Sequence, residues 1–449
     1  MRRAPRTYRA GLARCDITPP VGIKLAGFAS RNEPSTGVYR PLRAVAVAID
    51  DEETPILILM AEWLGFYDKT DRVRARLAEA TGIPERQIVL SGTHTHCGPA
   101  VREADVERHG ALNEGYLAEA IDRMTACAAE AWASRREAVL RFGEGRCAVA
   151  RCRRKPDPGN PPKVFRPMLP HDPGPVDHDV PVITIESASG DLRGVIFSYA
   201  CHPTSRGGLE IGGDYVGFAL ERVEAGLSGA GATACFLQGC GGDQKPRPVD
   251  PLGAVFGNRT VEEVRQIGEE LGDAVLGALS SGPLDAIRGD IAVAQEMLEL
   301  HTEPVDEPRA RALRAAGEDY QRAWAEQVLS ALKQGAPLST VVPYELQTIR
   351  FGRSLAIVTL AAEMSVEFSL RLKQELGGDF AHVLPLAYTN NIIGYVPVKR
   401  QIPEEGYEVW DANMYSKRTG PYVQTTEDQI VRAAKGGLGA VAPEIPRHA

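Results

Sequence analysis

Cysteine is scarce: eight residues in 449, irregularly spaced and without a CxxC pair. That excludes a disulfide framework and makes reduced thiols in a cytoplasmic protein the default expectation. Long apolar runs are missing as well, none reaching the roughly 18 residues that span a bilayer. Long like-charge runs are also missing, and the net charge of -8 is spread along the chain. A dedicated nucleic-acid binder is therefore not expected, nor is stable association with an anionic membrane. The one basic cluster, Met1 to Arg9, leads into Ala10-Gly11-Leu12 with neither an apolar stretch nor a small-residue cleavage site. It reads as a solvated tail rather than a secretory signal. No internal repeat, low-complexity tract or composition break divides the chain. With 43% apolar and 24% charged residues, the composition is that of an ordinary globular protein, and one catalytic domain over residues 1–449 is the simplest organisation.

What is present is a cluster of polar strand ends. Ser91-Gly92-Thr93-His94-Thr95-His96-Cys97-Gly98-Pro99 follows the apolar strand Gln87 to Leu90. Histidine is the commonest metal ligand among side chains, and alternate residues at a strand end can lean toward one site. A metal hydrolase is the first hypothesis; the plainer alternative is a pair of histidines satisfied by backbone partners. Arg43 to Ile49 and Ile56 to Met60 form a predicted hairpin, and Asp71 to Ala80 a helix stopped by Gly82 and Pro84. Asn113 to Trp132 has helical spacing and precedes the strand Ala138 to Phe142. Arg151 to Asp179, rich in proline, glycine and basic residues, reads as a long irregular loop, either a cover for the site or a solvated basic segment.

The middle of the chain repeats one theme, a short apolar strand ending in polar residues and glycine. Gly194 to Ala200 ends in Cys201-His202-Pro203-Thr204-Ser205, and Thr233 to Leu237 in Gln238-Gly239-Cys240-Gly241-Gly242-Asp243. Leu355 to Leu360 runs into Glu363, and Val383 to Ala387 into Tyr388-Thr389-Asn390-Asn391. Helices over about Tyr215 to Leu227, Arg259 to Leu279, Glu307 to Leu332 and Ser365 to Leu376 separate them. This order predicts an α/β architecture of layered mixed β-sheets flanked by helices, with the site at strand ends. His94, His96, His202, Glu363 and Tyr395 then form a candidate ligand set, since a hydrolytic metal needs three or four such donors and an open position. Alone, Glu363 is equally a favourable charge at the start of the following helix, and Tyr395 a core aromatic. The glycines of Gly239 to Gly242 lack the spacing of a phosphate loop. Cys97, Cys201 and Cys240 lie beside these motifs, and small buried packing residues explain them best.

Five blocks, in order, resemble the catalytic domain of the neutral/alkaline (non-lysosomal) ceramidase family. They are Ala10 to Pro19, SGTHTHCGP, Cys201 to Ser205 with Gly213 to Gly217, Phe236 to Asp243, and Glu363 through Arg371 with Gly394 to Glu408. The resemblance implies a zinc (Zn2+) site at His94, His202, Glu363 and Tyr395, with metal-bound hydroxide attacking an amide or ester carbonyl. It implies that His96 relays a proton or binds the oxyanion, that Tyr407 donates to it, and that Arg151 and Asp243 belong to the catalytic set. Gln238 joins Lys245 and Arg151 as expected substrate contacts.

Departures limit the transfer. Where the family carries a serine after Gly-Asp, this chain has Lys245, which either points inward and offers positive charge to an anionic group or points to solvent. A secretory signal and a C-terminal immunoglobulin-like domain, usual in members acting on membrane lipids, are not recognised. The expectation is a cytoplasmic zinc amidohydrolase for a small soluble substrate, anionic if Lys245 points inward, acting on linear amide C–N bonds. The alternatives are a true ceramidase of N-acyl sphingoid lipids and a catalytically dead binding homologue. Oligomeric state is left open.

Overall fold

Alternating side chains divide the strands between two cores, and this builds a layered molecule. The computed structural model describes residues 8–29, 31–103, 112–250 and 252–439; the basic start, Met1 to Thr7, lies outside them. Val45, Val47 and Ile49 face one apolar cluster, while Ala44, Ala46 and Ala48 of the same strand face another. This period of two is the pleat of a strand buried on both faces. Arg43–Asp50 and Pro55–Ala61 pair antiparallel, Ala44 opposite Ala61, as the predicted hairpin requires.

The hairpin lies in a nine-stranded mixed sheet. Its order is Thr233–Gln238, Leu192–Tyr199, Asp179–Glu186, Arg136–Arg146, Tyr8–Asp16, Arg43–Asp50, Pro55–Ala61 and Ile88–Gly92, with Asp285–Ala286 paired to Arg136–Arg146. Parallel pairing occurs at its two ends, between Pro55–Ala61 and Ile88–Gly92 and between Leu192–Tyr199 and Thr233–Gln238. A second sheet runs Ile291–His301, Val341–Phe351, Leu355–Leu360, His382–Leu386. Ile349, Phe351, Leu355 and Ile357 of this sheet share one core with Ile49, Ile56, Ile58 and Ile183 of the first, so the sheets pack face to face. Each fully buried aliphatic side chain there contributes about 1.5–3 kcal/mol.

Helices close the remaining faces. Thr70–Thr81 and Glu114–Ala133 cover the first sheet, contributing Val73, Leu77, Leu117 and Ile121. Val366–Leu376 and Thr426–Leu438 cover the second with Phe368, Leu372, Ile430 and Val431. Asp214–Gly226 and Val261–Ser280 pack on each other and on strands at the far end of the first sheet. The result is the predicted layered α/β fold, and no helix among the described residues is long and apolar enough to cross a membrane.

The structure adds and corrects elements. The helix expected over Glu307 to Leu332 is two, Glu307–Ala316 and Asp319–Gln334, because the Gly317 N–H closes the first on Leu313 O while Glu318 begins a new cap with Gln321. The eleven-residue strands Ile291–His301 and Val341–Phe351 and the helix Thr426–Leu438 escape the sequence reading. The long loop is irregular as expected, but its start, Ala150–Cys152, pairs antiparallel with Gln244–Pro246. All eight cysteines are free thiols.

Candidate metal centre

Four strand ends deliver the cluster. After Ile88–Gly92 the chain stays tied to its neighbour, Thr93 N–H donating to Ala61 O and His94 N–H to Trp63 O at 2.9 and 3.0 Å. His94 then adopts φ 66°, a left-handed conformation that is uncommon outside glycine and concentrates at functional sites. Its Nδ1 lies 2.7 Å from Leu64 O, so Nδ1 carries the proton and Nε2 presents a lone pair. His202, at the end of Leu192–Tyr199, repeats this: Nδ1 is 2.7 Å from Gly241 O. Carbonyl partners of this kind fix the tautomer and ring orientation of metal-binding histidines.

His96 is held differently. It is buried, yet neither ring nitrogen has a protein partner. Packing alone positions it, with the Phe28 ring 4.8 Å away and Gly27 against its face. A Cβ at Gly27, which has φ 98°, would sit 2.4 Å from His96 Cγ. One nitrogen from each of His94, His96 and His202 lies within 4.8 Å of the others, so the three could hold a metal ion.

Glu363 and Tyr395 arrive together. Glu363–Met364 and Tyr395–Val396 form a short parallel pair with Glu363 directly opposite Tyr395, and Glu363 N–H donates to Gly394 O at 2.8 Å. The turn carrying Gly241 and Gly242 packs against this pair, where a Cβ on Gly242 would meet Glu363 O at 2.6 Å. The glycines therefore serve close backbone approach.

Glu363 Oε2 lies 3.2 Å from His94 Nε2 and 3.1 Å from His202 Nε2, and Tyr395 Oη is 3.0 Å from His202 Nε2. Four ligands about 2.0 Å from a tetrahedral zinc stand roughly 3.3 Å apart, so these separations match the edges of such a site. The donor chemistry fits as well. His94 and His202 each give Nδ1 to a backbone carbonyl and turn Nε2 toward the Glu363 carboxylate, so a cation between them would find two imidazole nitrogens and a carboxylate oxygen. Burial lowers His202 to about 4 and takes His96 well below the ordinary imidazole range, leaving both neutral. Burial would push the Glu363 carboxyl up, but positive charge on the His94 and His202 side, as a shared proton or a bound cation supplies, outweighs it and holds it well below the usual carboxylate range. Burial raises Tyr395 and Tyr407, which favours their phenol forms in the absence of a cation.

The remaining expected residues divide. Tyr407 and Lys245 line the same cavity of about 450 Å³ as the three histidines and Glu363. Arg151 does not. It turns away to Asp172 at 3.1 Å and to the carbonyls of Ala148 and Ala150. The guanidinium in the cavity belongs to Arg153, beyond the end of the short strand. It is buried, donates to Glu408 Oε1 at 2.8 Å, and stands 5.4 and 5.6 Å from the ring centres of Tyr395 and Tyr407. Its Nη2 has no partner. Gln238 and Asp243 do not line the cavity either. Gln238 is fully buried and donates to Cys201 O at 2.9 Å, bracing the turn into His202. Asp243 accepts from Val366 N–H at 2.9 Å and Gln401 Nε2 at 2.8 Å, placing a carboxylate at the start of Val366–Leu376. Phe28, Thr204 and Met168 also line the cavity; only Thr204 lay in a recognised motif, and no spacing distinguishes the others.

Known proteins share this framework. The model of the neutral/alkaline non-lysosomal ceramidase N-terminal region matches residues 8–300. A neutral ceramidase of Mycobacterium tuberculosis is 24% identical over 456 aligned positions, covering 86% of this chain and 70% of that protein. The crystal structure of neutral ceramidase from Pseudomonas aeruginosa superposes with a TM-score of 0.73 at 19% identity, over 98% of this chain and 76% of that one. A ceramidase complexed with C2 gives the same TM-score at 18% identity, over 98% of this chain and 78% of that one. The chain belongs to the neutral/alkaline non-lysosomal ceramidase family, a family of hydrolases.

Proposed function

We propose that this protein is a zinc-dependent hydrolase that cleaves an amide bond in a compact, soluble substrate. The observation that carries this reading is the convergence of His94 Nε2, His202 Nε2 and Tyr395 Oη around Glu363 within 3.2 Å, beside a cavity of a size that takes small molecules. Zinc held by these four side chains would polarise the scissile carbonyl and acidify a water. The chain's own residues supply the rest. Neutral His96, free at both ring nitrogens, offers one donor and one acceptor, suited to holding the attacking water and passing its proton on. The Tyr407 phenol and the free Nη2 of Arg153 face the same space and donate to the carbonyl oxygen as negative charge grows on it. Water oxygen bonds to the carbonyl carbon, the C–N bond breaks, and the proton relayed by His96 ends on the amine nitrogen. The products are a carboxylic acid and an amine, which leave as carboxylate and ammonium once the acid proton passes to the amine.

A panel of N-acyl amino acids, simple esters, lactones and N-acyl sphingosines, assayed on protein purified without chelator, tests the reading. Hydrolysis of compact amides should vanish with chelator and return with zinc. His96→Ala should lose about 10²–10⁴-fold in kcat while keeping its metal. Chelator-resistant turnover, or wild-type kcat in His96→Ala, would refute it. The name of the Mycobacterium tuberculosis relative, neutral ceramidase, favours a second reading, and turnover restricted to N-acyl sphingosines would select it.

A further inference from the structure

One end of the cavity carries a charge that hydrolysis does not use. Lys245 sits on Gln244–Pro246, opposite Ala150–Cys152, and lines the cavity beside His96 and His202. Among the described residues no carboxylate pairs with its ammonium; its contact is the Phe256 ring, 5.5 Å from Nζ. Asp214, the carboxylate whose field reaches Lys245, accepts from the backbone N–H groups of Arg206 and Tyr215, and the carboxylates at the metal centre are engaged as well. Glu408 accepts from both Arg153 and Arg154, and Glu363 is shared by His94 and His202. Thr204 lines the same cavity and is nine-tenths buried, with no partner for its hydroxyl. The buried Thr204 hydroxyl is costly to leave without a partner, and the half-buried ammonium beside it has no protein acceptor among the described residues, so both are open to a ligand. Burial pushes the Lys245 ammonium down to about 8, with Arg153 adding to the effect, which leaves it mostly charged at neutral pH.

We propose that Lys245 and Thr204 form a carboxylate subsite, so that the amide cleaved at the metal centre carries a carboxylate, as in an N-acyl amino acid. The inference rests on the hydrolase reading above. One ammonium and one hydroxyl match the two oxygens and single charge of a carboxylate. A phosphate dianion, with more charge and three oxygens, is better matched by several cations or a backbone amide nest, and the Arg153 fork is partly held by Glu408. Phe28, Leu64 and Met168 line the same cavity and give the acyl group apolar contacts.

Calorimetric binding with the metal-loaded protein separates the two claims. N-acetyl-, N-hexanoyl- and N-dodecanoylglycine are each compared with the matching N-acylglycinamide, which keeps the shape and removes the charge. The wild type should bind at least one acid about tenfold or more tighter than its amide. Lys245→Met should erase that preference, Lys245→Arg should keep most of it, and Thr204→Val should reduce it. Equal binding of acid and amide, no binding of any acid, or a preference that survives Lys245→Met overturns the subsite. Tighter binding of N-hexanoyl phosphoethanolamine than of N-hexanoylglycine overturns the choice of carboxylate. Hydrolysis is scored separately. Metal-dependent cleavage without charge preference would leave the hydrolase standing and remove the subsite, whereas Lys245-dependent binding of acids that are never cleaved would do the reverse.

Discussion

His94 and His96 stand two residues apart and differ in what holds them. A carbonyl fixes the Nδ1 proton of His94, whereas His96 has no polar partner on either nitrogen. The sequence shows the pair and, through the family blocks, the asymmetry; the physical cause becomes visible only when Leu64 arrives from the bend after Pro55–Ala61. Arg151 marks the opposite case. Arg151 lies in the short strand Ala150–Cys152, too brief to show a periodicity, and the arginine that turns into the cavity is two positions on, just past its end. Arg151→Ala should therefore change stability by no more than about 0.5 kcal/mol and leave kcat near wild type. Arg153→Ala should lower kcat by at least about tenfold, and a larger loss in Arg151→Ala would reverse the assignment. Lys245 makes a prediction about stability. Its pKa of about 8 in the fold lies below its ordinary 10.5, so the charged form is disfavoured by folding. That cost is complete below pH 8 and fades as pH rises toward 10.5. Lys245→Met should raise the melting temperature at pH 7, by at most about 3 kcal/mol of stability, with the gain gone above roughly pH 10.5. An unchanged or lower melting point at pH 7 would show that Lys245 already has its counter-charge.

At the scale of elements, the basic loop is neither loosely solvated nor simply a source of charge. Arg154 pairs with Glu404 and Glu408, Lys163 with Glu405, and Arg166 with Asp411, so the segment is fastened to the turns that carry Tyr407. Glu408 is the centre of this clasp. Burial raises its pKa, but Arg153 and Arg154 outweigh that and hold it at about 2. Its contribution is present above about pH 4.5 and is lost as pH falls toward 2. Glu408→Gln would leave the buried Arg153 guanidinium without its carboxylate and Arg154 with Glu404 alone, at about 3–5 kcal/mol, and should flatten stability between those pH values. Unaltered acid unfolding in that variant would contradict the clasp. The sequence carried the composition of this loop but not its partners, which lie some 250 residues away. The strand Ile291–His301 was hidden for a related reason: Gln295, Glu296, Met297 and Glu299 are solvent-facing or half-exposed, so no clean alternation marks it, and its pairing with Val341–Phe351 supplies the order.

Across the whole molecule, the cluster joins the two sheets. His94 and His202 follow strands of the nine-stranded sheet, Glu363 follows Leu355–Leu360 of the four-stranded one, and Tyr395 lies beyond His382–Leu386. A shared apolar core already unites the sheets, and a bound ion adds a second link that the unfolded chain lacks. Metal should therefore raise the melting temperature by mass action, and a single cooperative transition should be seen with and without it. Separate transitions for the two sheets would show that the core does not couple them. The fold class and the five strand ends were legible because buried strands leave short apolar runs that stop at polar residues. The strand ends offered His94, His96, His202, Glu363 and Tyr395 as one candidate set, and the family blocks narrowed it to residues 94, 202, 363 and 395. The most direct test is a calorimetric titration of zinc into chelator-stripped wild type and Glu363→Ala, with circular dichroism showing both folded. The account predicts one zinc per wild-type chain and a large loss of affinity in the variant. A wild type that takes up no zinc, or a variant that binds it as tightly, would contradict it.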